Sequence, residues 1–184
     1  MRLIFVILVS WMLGATVAPA FADQNDPQLD ELFVKLHEAQ DVGTAKEIER
    51  RIWNLWLAHP DEAIKGLMDA GQVQMRLRDY RTALKTFEMM VDLAPDFAEG
   101  WNKRATIHWL LGNYRDSLAD IDKTLALEPR HFGALSGRGL VYAALEEWEL
   151  ALESFESALE VYPQMTGPRV NADRIRLILE EREI

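Results

Sequence analysis

Four histidines, His37, His59, His108 and His131, are the side chains of this sequence whose type best suits metal binding. They are isolated along the chain, and no H-x-x-x-H pair sets two imidazoles on one helix face to hold a metal. Cysteine is absent, which removes disulfides, thiolate zinc sites and thiol nucleophiles. The stretch Gly133-Ala134-Leu135-Ser136-Gly137-Arg138-Gly139 has the glycine density of a phosphate loop or a nucleophile elbow. No G-K-[ST] follows it, and it holds no G-x-S-x-G. Glu146-Glu147 and Glu180-Glu181 read as solvated charge, and Met89-Met90 as core rather than a soft metal site. No catalytic residue, no metal ligand and no cofactor is expected.

The 184 residues carry 30 Asp plus Glu against 20 Lys plus Arg, a net charge of -10. No basic face is available to neutralise a phosphate backbone, so nucleic acid is not expected as a partner. Acidity biases partners toward basic proteins and makes association salt-dependent, though it also serves solubility. The first 22 residues differ from the rest: Arg2, an apolar run from Leu3 to Leu13, then small residues ending Ala20-Phe21-Ala22. They read as a signal peptide cleaved after Ala22, which implies a periplasmic or secreted protein. The alternative is an uncleaved anchor, the one case in which a membrane is a partner. Cleavage leaves 30 acidic and 19 basic residues, because Arg2 is the only charge lost.

The elements that must position any site follow from a period. Pro95, Pro129 and Pro163 are 34 residues apart, as are Tyr80, Tyr114 and Trp148, then Ala83, Ser117 and Ala151, then Phe87, Ile121 and Phe155. Within each period apolar residues recur at 3 and 4, one helix face: Trp101, Ala105, His108 and Trp109 along a first helix, Leu118, Ile121 and Leu125 along a second. Gly112-Asn113 supplies the turn between them, and proline resets the chain for the next unit. That register puts the Gly133–Gly139 stretch inside a helix. The unit is a helix hairpin repeated three times, which makes the chain all-α.

These units resemble tetratricopeptide repeats, whose pattern of large apolar, small, aromatic, turn, Tyr, Ala, Phe, Ala and Pro is matched by Trp101, Ala105, Gly112, Tyr114, Leu118, Ile121 and Pro129. Leu135, Gly139, Tyr142, Trp148, Ala151, Phe155, Ala158 and Pro163 match it again. The first copy is looser: Leu67, Gly71, Tyr80, Ala83, Phe87 and Pro95 fit, while Gln74 and Met90 depart from the pattern. His108 stands in an aromatic column and reads as a core ring. The resemblance implies a right-handed α-solenoid with three repeats at about 62–95, 96–129 and 130–163. Residues 23–61 read as a degenerate hairpin upstream, with Leu29, Leu32, Phe33 and Leu36 on one helix and Ala45, Ile48, Ile52, Trp53 and Trp56 on the next. Residues 164–184 read as a C-terminal capping helix. The expected use of Trp53 and Trp56 is packing against the first repeat; a dimer contact is the alternative.

The resemblance also implies a peptide ligand in the groove lined by the first helices. Its candidate residues are Gln72, Met75, Asn102, Lys103, Thr106, Trp109, Ser136, Gly137 and Leu140. A Lys/Asn/Arg clamp on a C-terminal carboxylate would need basic or amide residues at Met68, Gln72, Lys103, Gly133 and Gly137. Lys103 fits and Gln72 fits in part, so no such clamp is expected. Glycine in a helix interior costs about 1 kcal/mol relative to alanine. Either Gly133 and Gly137 open an apolar trough beside Leu140, with Trp109 and Met75 at its rim, or Gly133 sits in a fraying turn and Gly137 relieves a tight contact. The functional expectation is a non-catalytic scaffold or adaptor in the bacterial periplasm. The alternatives are a carrier or sensor of a small apolar ligand, and an accessory subunit of an envelope enzyme.

Overall fold

The computed structural model describes residues 23–182; the leader and its cleavage point after Ala22 lie outside them. Among the described residues there are nine helices and no strand: α1 (Gln28–Glu38), α2 (Val42–Trp56), α3 (Glu62–Arg76), α4 (Tyr80–Leu93), α5 (Ala98–Leu110), α6 (Tyr114–Leu127), α7 (Phe132–Ala144), α8 (Trp148–Val161) and α9 (Thr166–Arg182). Aspartates open several of them. Asp41, Asp61 and Asp79 accept the Thr44, Ala63 and Thr82 backbone N–H groups at the starts of α2, α3 and α4.

Three hairpins, α3/α4, α5/α6 and α7/α8, form the solenoid, and small residues set their spacing. A Cβ on Gly71 would lie 2.4 Å from Phe87 Cζ, and one on Gly139 would lie 2.6 Å from Phe155 Cε1. In the middle hairpin the Ser117 hydroxyl donates to the Ala105 carbonyl at 2.9 Å. All three turns pass through the left-handed region at the same column, Arg78 (φ 59°), Gly112 (φ 79°) and Glu146 (φ 59°). Only the middle turn uses glycine there.

Successive hairpins stack through a second set of columns. Gly100 lies on Met90 and Val91 of α4, and Ile107 and Val141 are buried. α9 takes the place of a fourth first helix, with Ala172 and Ile175 in one core with Ala151 and Phe155.

The N-terminal hairpin departs from expectation. It does not stack ahead of the first repeat; α1 and α2 swing across to the third. Leu29, Leu32, Phe33, Leu36, Ala45, Ile48, Ile52 and Trp56 share one buried core with Phe132 and Tyr162, flanked by Val161 and Met165. Polar contacts pin this arrangement along the loop edge of the solenoid. Arg130 pairs with Asp30 at 2.7 Å and lies over the Phe33 ring, His37 Nδ1 donates to the Glu160 carbonyl, and Gln164 Nε2 donates to the Ala39 carbonyl. Further upstream, Gln24 donates to the Asp96 carbonyl and accepts the Ala98 N–H, satisfying the start of α5. The third repeat wins the hairpin because it offers aromatic surface, Phe132 to the two tryptophans with the Tyr162 ring against Phe132. Apolar area and ring-edge contacts decide where an amphipathic hairpin docks.

Candidate functional site

The first helices α3, α5 and α7 line the concave face, as their apolar spacing requires, and α2 crosses it. Trp56 stacks on His131 (centroids 4.1 Å apart, planes 8° apart) and tilts onto Phe132 at 5.0 Å. Trp53 meets the edges of Trp56, His131 and Phe132. A Cβ on Gly133 would lie 2.9 Å from Trp53 Cη2. The space left by Gly133 is therefore filled by the chain itself.

Beneath these rings is a buried polar cluster. His131 opens α7 by accepting the Ala134 N–H on Nδ1 at 3.0 Å, which leaves the ring proton on Nε2 to be donated to Glu99 Oε2 at 2.9 Å. Asn102 Nδ2 donates to the same oxygen at 2.8 Å. Lys103 Nζ lies 2.6 Å from Glu99 Oε1, an ion pair whose angles fall outside those of a hydrogen bond, and 5.3 Å from the Trp53 ring centre. Burial opposes ionisation of Glu99 most strongly, but the Lys103 charge and the His131 hydrogen bond outweigh it and hold the carboxyl at about 2. Tyr162 closes the far side, its hydroxyl donating to Glu49 Oε2 at 3.2 Å; burial and that carboxylate push the phenol up to about 12.

The uncovered half of the concave face holds a trough of about 200 Å³ between α5 and α7. Asn102, Thr106 and Trp109 form one wall, Ser136, Gly137 and Leu140 the other, with Ala105 and Ile121 in the floor and Met165 at one end. Gly137 is what keeps it open, because a Cβ there would meet only Ile121 Cδ1 at 3.9 Å, an ordinary contact. Among the described hydrogen bonds neither Ser136 Oγ nor Asn102 Oδ1 has a partner.

The structure thus brings six of the nine expected site residues into one trough. Gln72, Met75 and Lys103 line a separate shallow depression with Trp53, Leu57 and Arg76, so Met75 is not at the trough rim. Of the six, Asn102 is the most enclosed, its amide nitrogen committed to Glu99 in the polar cluster just described. Glu99, His131, Trp53 and Trp56 were missed as a group. His131 did carry a signal, being polar in the column that holds Phe97.

Away from the groove, Arg104 grips buried Asp120 through two hydrogen bonds of 2.8 and 2.7 Å and covers Trp101. Among the described residues no group of three or more acidic or histidine side chains could hold a metal ion, and no helix is long and apolar enough to cross a membrane.

The tetratricopeptide repeat profile matches residues 68–114 and 103–166, together more than half of the chain. The chain belongs to the tetratricopeptide repeat family. A TPR repeat-containing protein of Rhizobium etli is 33% identical over 154 residues, covering 84% of this chain and 74% of that protein. Two solved structures share the fold. The first TPR of Spaghetti (RPAP3), bound to an HSP90 peptide, aligns with a TM-score of 0.63 at 22% identity, covering 65% of this chain and 94% of that one. MamA aligns with a TM-score of 0.62 at 16% identity, covering 79% of this chain and 88% of that one.

Proposed function

We propose that the chain is a non-catalytic interaction scaffold of the bacterial periplasm, which holds a segment of a partner protein on the uncovered half of its concave face. The observation that carries this reading is the trough between α5 and α7, kept open by Gly137. Its size separates the two ligand classes. Pockets for small molecules run from roughly 300 to 1,000 Å³, whereas an apolar cavity of about 150 Å³ takes a single benzene ring. At about 200 Å³ the trough fits one large apolar or aromatic side chain of a bound segment, not a carried ligand. The Ser136 hydroxyl and the Asn102 carboxamide oxygen are placed to meet backbone polar groups of that segment.

Recognition of a C-terminal carboxylate by a clamp of basic and amide side chains is not part of this proposal. Lys103 spends its charge on Glu99 and its face on Trp53, and Gly133 lies under the same indole. The periplasmic address rests on the leader-like first 22 residues, and a shift of the tagged protein's mass to that of a chain starting at Asp23 tests it. Affinity purification from the source cells at low and moderate salt tests the binding. A stoichiometric envelope protein lost on Leu140→Ser supports the reading, and one retained on that variant removes the trough from it.

A further inference from the structure

The departure of α1 and α2 toward the third repeat leaves the leading face of the first repeat uncovered among the described residues. The 34-residue columns show what that face is built for. Val73 is 44% exposed, while its counterparts Ile107, Val141 and Ile175 are 0%, 1% and 3% exposed, each packed against the hairpin before it. Gly66 has nothing within 4 Å of an added Cβ, while its counterpart Gly100 touches Met90 and Val91. Among the described residues this surface is therefore covered three times and open once.

The open copy has a pattern the covered ones lack. Ala63, Gly66, Ala70, Val73 and Leu77 are all exposed and fall at steps of 3, 4, 3 and 4, the strict two-in-seven spacing of a helix–helix seam. Small residues occupy its N-terminal end and large ones its C-terminal end. Turned antiparallel about Ala70, the stripe is nearly complementary to itself: Leu77 of one copy falls over Ala63 of the other, and Val73 comes down one residue from Gly66. On the flank the turn brings Glu62 within two residues of Arg76 of the second copy at each end, with Asp69 near its own copy between them; all three side chains are exposed. A face that sets large against small, with an acid–base pair at each end of its flank, has the self-complementarity an isologous contact requires.

We propose that α3 is a homodimer seam, with a second copy of this chain packed antiparallel across Ala63, Gly66, Ala70, Val73 and Leu77. Two heptads make a small contact, in the class below roughly 1,200 Å² that marks weak, concentration-dependent association. The proposal is independent of the groove reading, because the seam lies on another face of α3.

Sedimentation of the purified protein over a wide concentration range tests it. The mass is expected to rise toward twice the monomer. Ala70→Glu, at an exposed position, is expected to keep the helical circular dichroism spectrum and stay monomeric throughout. Glu62→Arg alone is expected to weaken the dimer, and Glu62→Arg with Arg76→Glu to restore it, which only a self-complementary antiparallel seam does. Because the chain has no cysteine, Ala70→Cys places one thiol on the two-fold and is expected to give a disulfide-linked dimer on mild oxidation. A wild type that stays monomeric at every concentration overturns the proposal. So does a dimer that tolerates Ala70→Glu, or a thiol shielded inside a monomer because the chain's own hairpin covers α3.

Discussion

Two glycines of one helix, two residues apart, should respond to alanine with opposite signs. At Gly137 the added methyl meets only Ile121 Cδ1 at 3.9 Å. The helix then gains about 1 kcal/mol of propensity with nothing to set against it. At Gly139 the methyl would lie 2.6, 2.7 and 2.8 Å from three atoms of the Phe155 ring, itself fully buried and unable to withdraw. The same propensity gain is there opposed by overpacking of about 1 to 3 kcal/mol. Urea unfolding followed by circular dichroism should move the Gly137→Ala midpoint up and the Gly139→Ala midpoint down. In thermal unfolding the former should gain about 2 to 4 °C, the shift expected per kcal/mol for a domain of this size. The same Gly137→Ala variant narrows the trough and should lose partner binding while gaining stability. Shifts of the same sign at both positions would refute the geometry, and lower stability with unchanged binding would refute the trough.

Other consequences are equally open to measurement. Because the Glu99 carboxyl is held at about 2 in the folded protein against 4.5 in the open chain, its stabilisation is complete above pH 4.5 and is lost as pH falls toward 2. The loss is on the order of 3 kcal/mol, and Glu99→Gln, which leaves Lys103 without its anion, should flatten that acid limb of the stability curve. Trp56→Ala removes the ring stacked on His131 and should cost about 3 to 5 kcal/mol, read as protease cleavage within 23–61 while α3–α9 persist. Glu146→Gly relieves a left-handed backbone that costs a non-glycine residue about 1 to 2 kcal/mol, and should raise the denaturation midpoint.

The repeat architecture was legible because its information is local and recurs: proline, turn and aromatic columns at one period state the helices and their pairing several times over. The trough was legible in part, since Gly137, Leu140, Trp109 and Ser136 follow from the register alone. The destination of α1 and α2 was not. Their apolar stripes say that a neighbour is needed, but the leading face of α3 and the Phe132–Tyr162 edge both offer one, and the choice is made by residues far along the chain, Phe132 and Tyr162 above all. Gly133 illustrates the limit: its column shows missing volume, and only the fold shows that Trp53 supplies it. The Glu99–His131 pair was hidden for the same reason, as two polar residues 32 apart carry no periodic mark.

The central claim, that a partner segment lodges in the α5–α7 trough, is tested most directly by a photo-crosslinking side chain placed at Ser136 in living source cells, with a second at exposed Lys123 on α6 as control. One envelope protein joined at position 136, not at 123, and lost when Leu140→Ser is added, is the predicted result. The same adducts at both positions, or none at 136, would contradict it.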